Sequence, residues 1–155
     1  MNPTNSDNSK KLWSIKDSIN VYDIDKWGDK YFSINNDGNI SISPDGNKDN
    51  RIDLLKLVEE IKRREINPPL ILRLNDILKD RIAELHNAFS NAIKNYKYKN
   101  IYQGVFPIKC NQQKNFIEKI IEFGSAWNFG LEVGSKSELL IGLSQINNQK
   151  SLLIC

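Results

Sequence analysis

The spacing of apolar positions along the chain changes twice, and each change marks a different kind of element. Residues 1–12 hold little apolar surface that could offset the entropy of ordering them, so a disordered tail is expected there. From Trp13 onward Ile15, Ile19 and Tyr22 recur at helical spacing, which predicts a short helix over about 14–22 that buries all three. Then YFSI and ISIS flank Asn35-Asn36-Asp37-Gly38-Asn39. Asp-Gly supplies the positive φ of a tight turn, so 31–34 and 40–43 are expected to pair as a β-hairpin. Ser43-Pro44-Asp45-Gly46-Asn47 is a second turn cluster, and 13–50 reads as a small β-containing lead-in.

After residue 50 helical stripes alternate with short apolar runs. Asp53 stands ready to cap a helix whose face is Leu54, Leu57, Val58 and Ile61, and Asn67-Pro68-Pro69 ends it. Leu70-Ile71-Leu72 predicts a buried strand with Arg73 near its end. Leu78, Ile82, Leu85, Phe89 and Ile93 then mark one face of a long helix over 76–96. A strand over 101–108 is followed by a helix over 112–123 that buries Phe116, Ile117, Ile120 and Ile121. A strand over 129–133 is followed by a helix from Ser135 through Leu139, Leu140 and Leu143, and a further strand begins at 152.

Strands separated by helices of this length make βαβ units, parallel strands joined by right-handed crossovers. The class is α/β, either a β/α barrel or a doubly wound sheet. Strands in such sheets are covered on both faces, yet no helix follows the last apolar run, so the pattern is that of a domain cut within. A complete (β/α)8 TIM barrel takes about 250 residues and eight strands, so four strands over roughly 85 residues correspond to half of one. The expected organisation is a tail over 1–12, the lead-in over 13–50 and half a barrel over 51–155.

Composition narrows the function classes. With 39% hydrophobic and 26% charged residues the 155-residue chain is of globular type. The net charge of +3 comes with 17 Lys against 5 Arg, beside 21 Ile and 20 Asn, a usage bias spread over the whole chain and a weak ground for a nucleic-acid partner. Trp13, Trp27 and Trp127 form no stacking array with basic residues, which also counts against single-strand binding. No run approaches the roughly 18 apolar residues of a membrane span. MNPTNSDNSKK has no apolar region behind it, so no secretory signal is read and the cytoplasm is expected. Cys110 and Cys155 stand apart from each other and from any Cys/His cluster, giving neither a zinc pattern nor a disulfide framework.

Ligands of parallel α/β sheets meet the carboxyl ends of the strands. Lys109 ends the second strand, after GVFPI. In an apolar barrel mouth desolvation favours its neutral amine, as a Schiff-base lysine requires; a solvated lysine at a strand end fits the position equally well. Glu132 and Ser135 stand at the end of the third strand, in FGLEVGSKSELL. A carboxylate there can orient a cationic nitrogen, and the Gly134-Ser135 turn can aim N–H groups at an anion. Equally, Ser135 with Glu138 three residues on is a helix capping box. Lys136 is expected to face solvent. Arg73 is read as a partner in a structural ion pair, and His86, the one histidine, as a surface or boundary residue. Strand alternation turns Cys110 away from Lys109, toward a packing role.

WSIKDSINVYDIDKWGDKYFSIN, PLILRLNDILKDRI, GVFPIKCNQQ, EFGSAWNFGLEVGSKSELL and SLLIC together resemble the N-terminal part of biosynthetic arginine decarboxylase, over Trp13 to Cys155. An apolar strand ending in Lys-x-Asn is common to the wider alanine-racemase-like barrel class, whereas PIKCNQQ with FGLEVGSKSELL points to arginine decarboxylase. The resemblance implies a pyridoxal 5'-phosphate-binding β/α barrel followed by a β domain, assembled as a homo-oligomer. It implies conversion of L-arginine to agmatine and CO2 in polyamine (spermidine) biosynthesis. Lys109 then matches the lysine that binds pyridoxal phosphate, and Glu132 an acidic position lining the cofactor pocket. Magnesium is implied as well, with no ligand assigned. The family's phosphate loop, its acidic partner of the pyridine nitrogen and its ring-stacking histidine are expected beyond Cys155, so the chain alone is expected to be inactive. Two other readings stay open: another pyridoxal-dependent barrel decarboxylase or racemase, and a non-catalytic remnant that acts by association.

Overall fold

A computed structural model describes residues 12–155, so the tail expected over 1–12 lies, apart from Leu12, outside the described residues. The chain divides into two compact units, one ending at Ile71 and one running Leu72–Cys155.

In the first unit Ser14 caps α1 (Ile15–Tyr22) with a full capping box. Its hydroxyl accepts from the Asp17 N–H, and the Asp17 carboxylate accepts from the Ser14 N–H at 2.9 Å. The expected apolar face is turned: Ser18 is the buried position of α1, while Ile15 and Tyr22 are exposed. Trp13 fixes that phase by donating its indole N–H to the Ser18 hydroxyl at 2.7 Å. A second helical turn, α2 (Ile24–Trp27), carries the fully buried Ile24.

The hairpin forms as the turn chemistry requires, β1 (Phe32–Ile34) running antiparallel to β2 (Ile40–Ile42) with Phe32 opposite Ile42. Asn35 builds the turn, its side-chain oxygen accepting from the N–H groups of Asp37 and Asn39. The hairpin becomes a three-stranded sheet through β3 (Ile52–Asp53), which pairs antiparallel with β2. Two residues give no periodicity to read, so β3 has no signature in the sequence. Asp53 ties the pieces together. One carboxylate oxygen accepts from Asn35 and Asn39 at 2.7 and 3.0 Å, and the other accepts from the Lys56 N–H at the start of α3 (Leu54–Arg63). Because α3 packs on β2 and β3, it falls in the first compact unit, which ends at Ile71.

The second unit alternates helix and strand: α4 (Asn75–Asn95), β4 (Val105–Pro107), α5 (Lys114–Gly124), β5 (Gly130–Glu132), α6 (Lys136–Gln145) and β6 (Leu153–Ile154). The sheet is parallel in the order β4-β5-β6, with Pro107 opposite Glu132 and Glu132 opposite Ile154. Gly130 makes the last pairing possible, since a Cβ there would stand 2.1 Å from the Leu152 carbonyl oxygen. Ile82, Ile108, Ile117, Ile120, Ile121, Phe129, Leu131 and Val133 form the core between sheet and helices. Each such side chain contributes about 1.5–3 kcal/mol on burial.

Two expectations fail here. Leu70-Ile71-Leu72 forms no strand and Ile71 is 82% exposed; an apolar triplet is a strand only where a neighbouring strand takes up its backbone bonds, and none of the described strands pairs with it. Along α4 the buried positions are Ile82 and His86, while Leu85 and Phe89 are exposed. The helix is rotated to bring the imidazole into an aromatic cluster. The architecture is α/β with three parallel strands.

Candidate active site at the carboxyl edge of the parallel sheet

β4 ends at Pro107, which lacks an N–H and closes the ladder. A single 3-10 turn over Ile108–Cys110 follows. Ile108 is completely buried and anchors the turn, so the next two residues emerge on the edge of the sheet. The Lys109 amine lies 3.7 Å from Oε1 of Glu132, the last residue of β5. Parallel register sets this meeting, because Pro107 and Glu132 are partners across the ladder.

The dry surroundings expected for Lys109 are absent: its side chain is 65% exposed and that of Glu132 is 29% exposed. A half-exposed pair of this kind contributes about 0–1 kcal/mol to stability, so its importance is in orientation. Cys110 is exposed too. Alternation requires an extended backbone, and the 3-10 turn removes it, leaving Cys110 outside the core instead of in a packing role.

Ser135 is the N-cap of α6, its hydroxyl accepting from the Glu138 N–H at 3.2 Å. The other half of the expected capping box is rearranged. Glu138, 8% exposed, accepts from the Gly134 N–H at 2.7 Å through Oε2 and from the Gln112 side-chain amide at 3.1 Å through Oε1. A carboxylate of the chain itself thus engages the Gly134 N–H at the start of α6. A concavity of about 350 Å³ beside this turn is lined by Val133, Gly134, Ser135, Lys136, Leu139 and Cys155. A larger one, about 590 Å³ and lined from α5 and α6, contains none of the candidate groups.

Arg73 donates to the side-chain oxygen of Gln113, close in sequence to Lys109, and not to a carboxylate. Lys136 is exposed, as expected. His86 overturns its expectation, being 1% exposed. Its ring stacks on Trp127 at 4.9 Å with 8° between planes, meets Phe129 edge-on at 5.2 Å and tilts against Tyr102 at 5.1 Å. Burial lowers its pKa from the usual 6.5, and its Nε2 has no hydrogen-bond partner among the described residues. Among the described residues no group of three or more His, Cys, Asp or Glu is placed to hold a metal ion. Beyond their places in PIKCNQQ and FGLEVGSKSELL, Gln112 carries no signal of its own in the sequence and Glu138 only that of a cap.

The donor set suits an aldehyde ligand at one end: a primary amine reachable from solvent, on the ligand-binding edge of a parallel sheet, beside a carboxylate that can exchange a proton with it.

No family model matches the chain. Biosynthetic arginine decarboxylase of Prochlorococcus marinus strain MIT 9312 is 73% identical over 146 residues, 94% of this chain. The chain resembles biosynthetic arginine decarboxylase. The enzyme of that name from strain MIT 9303 is 47% identical over all 155 residues. The crystal structure of biosynthetic arginine decarboxylase from Campylobacter jejuni superposes with a TM-score of 0.75 at 29% identity, over 86% of this chain. The chain spans 22 to 24% of the length of these curated relatives and 23% of the Campylobacter chain.

Proposed function

We propose that this chain carries the cofactor-attachment segment of a pyridoxal-phosphate-dependent arginine decarboxylase, which converts L-arginine to agmatine and CO2. The observation that carries the reading is the Lys109–Glu132 pair, 3.7 Å apart at the carboxyl edge of the sheet, in a sequence 73% identical to a biosynthetic arginine decarboxylase. Three parallel strands in sequential order with helices between them suit the first part of an alanine-racemase-like β/α barrel.

Lys109 is the covalent attachment point for the cofactor aldehyde. Glu132 holds the lysine's charge and aims its amine, and it can take or return the proton that the amine must lose before it attacks a carbonyl. The Ser135 hydroxyl, which spends a lone pair on the Glu138 N–H, keeps its own proton free to donate. When bound, pyridoxal phosphate supplies the ring that accepts the electron pair left as CO2 departs. No ligand for magnesium is assigned among the described residues, where no group of three or more His, Cys, Asp or Glu comes together. The cytoplasm and a homo-oligomer are the setting this reading implies.

The test is covalent trapping. Purified chain is incubated with pyridoxal phosphate and reduced with borohydride, and the modified lysines are located by peptide mass. Label should concentrate on Lys109 and vanish from that peptide in Lys109→Ala; even labelling across the other lysines would overturn the proposal.

A further inference from the structure

The carboxyl edge of the sheet is built from two separate segments, and the pair on which the proposed function rests has one partner on each. Lys109 belongs to the 3-10 turn after β4, and Glu132 ends β5, just before the Gly134-Ser135 turn. A contact between exposed side chains on two such segments holds its geometry only if the segments are fixed to each other. Between β4 and β5 the pairing stops at Pro107 and Glu132.

Glu138 spans the gap. Its Oε2 accepts from the Gly134 N–H at 2.7 Å, and its Oε1 accepts from the Gln112 side chain at 3.1 Å, three residues beyond Lys109. A capping role alone would turn this carboxylate back toward the N–H of Ser135. Here it reaches past the cap and takes one bond from each segment. A carboxylate 8% exposed tolerates this environment because both oxygens accept hydrogen bonds at the positive end of α6.

We propose that Glu138 is the positioning residue of this site: it clamps the segment after Lys109 to the turn after Glu132 and thereby sets the Lys109–Glu132 approach. The inference deepens the proposed function and rests on it for its consequence. The clamp itself can be tested without cofactor.

Carbodiimide joins an amine and a carboxylate in direct contact through an amide, so the yield of a Lys109–Glu132 cross-link reports their approach. The Lys119–Glu122 pair, 2.6 Å apart within α5, serves as the internal reference. In the full 155-residue chain the Lys109–Glu132 yield, divided by that of the reference, should fall severalfold in Glu138→Gln, where an amide N–H₂ meets one of the two donors. It should fall similarly in Gln112→Ala, which changes an exposed residue and leaves the core untouched. The double variant should fall no further than Glu138→Gln alone, since both changes cut the same connection. An undiminished ratio in Gln112→Ala and Glu138→Gln would overturn the clamp, and so would absence of the cross-link from the unsubstituted chain. If the cross-link depends on Glu138 while pyridoxal phosphate shows no preference for Lys109, the clamp stands and the proposed function falls.

Discussion

With Trp127 stacked on its ring and Phe129 and Tyr102 closing two further sides, His86 has no water to solvate an imidazolium. Its pKa in the folded chain is therefore lowered from 6.5, while unfolding releases the ring to its ordinary value. The unfolded state binds more protons below pH 6.5, so the stability from neutral His86 is present above that pH and is lost as pH falls below it. Urea midpoints measured stepwise from pH 8 downward should decline in this range, and His86→Leu should flatten the decline; an equal slope in the variant would count against the assignment. The residue also shows why part of α4 was unreadable in sequence. A histidine beside Leu85 looks like the polar side of the boundary, and only three aromatic residues from distant positions make the imidazole the better core group.

Asp53 does for the first unit what local pattern could only half announce. As the N-cap of α3 it is legible from the sequence; as acceptor for Asn35 and Asn39 it is not, because those bonds cross from the hairpin turn to β3. The Asn39 side-chain bond, together with the Lys56 N–H, the Asn35 amide and the Lys56 charge, brings its pKa down to about 2 from 3.8. A carboxyl group with a depressed folded pKa stabilises above its unfolded value, and that contribution is lost as pH falls from 3.8 toward 2. Circular dichroism through this acid range should show Asp53→Asn already weakened at neutral pH and with a shallower loss below pH 4 than the unsubstituted chain. Parallel acid curves would refute this. Neighbouring elements are legible to within a few residues wherever a stripe or a turn is long enough: the hairpin, α5 with Ile117, Ile120 and Ile121 inward, and α6 from its Ser135 cap.

At the scale of the molecule the site is one edge of a three-stranded parallel sheet, and Ile154 of β6 and Leu152 just before it are exposed. The described residues provide an amine and a carboxylate, but the N–H of Gly134 and one hydroxyl lone pair of Ser135 are already taken by Glu138 and the α6 backbone. That turn therefore offers a phosphate one backbone donor fewer. The purified 155-residue chain is accordingly expected to release no labelled CO2 from carboxyl-labelled arginine in the presence of pyridoxal phosphate, and lysine-dependent release abolished by Lys109→Ala would contradict that. The amino-acid order by itself settled the α/β class, the hairpin, the alternation of helix and strand from α4 to α6 and the place of Lys109 just past a strand, because periodicity, caps and turn residues act over a few positions and need no distant partner. Tertiary structure alone decided that Lys109 meets Glu132, that 70–72 stays outside the sheet, that α3 joins the hairpin and that Glu138 links two turns. Each of those depends on which backbone or side chain from elsewhere in the chain arrives to complete a hydrogen bond, a ladder or a packed face.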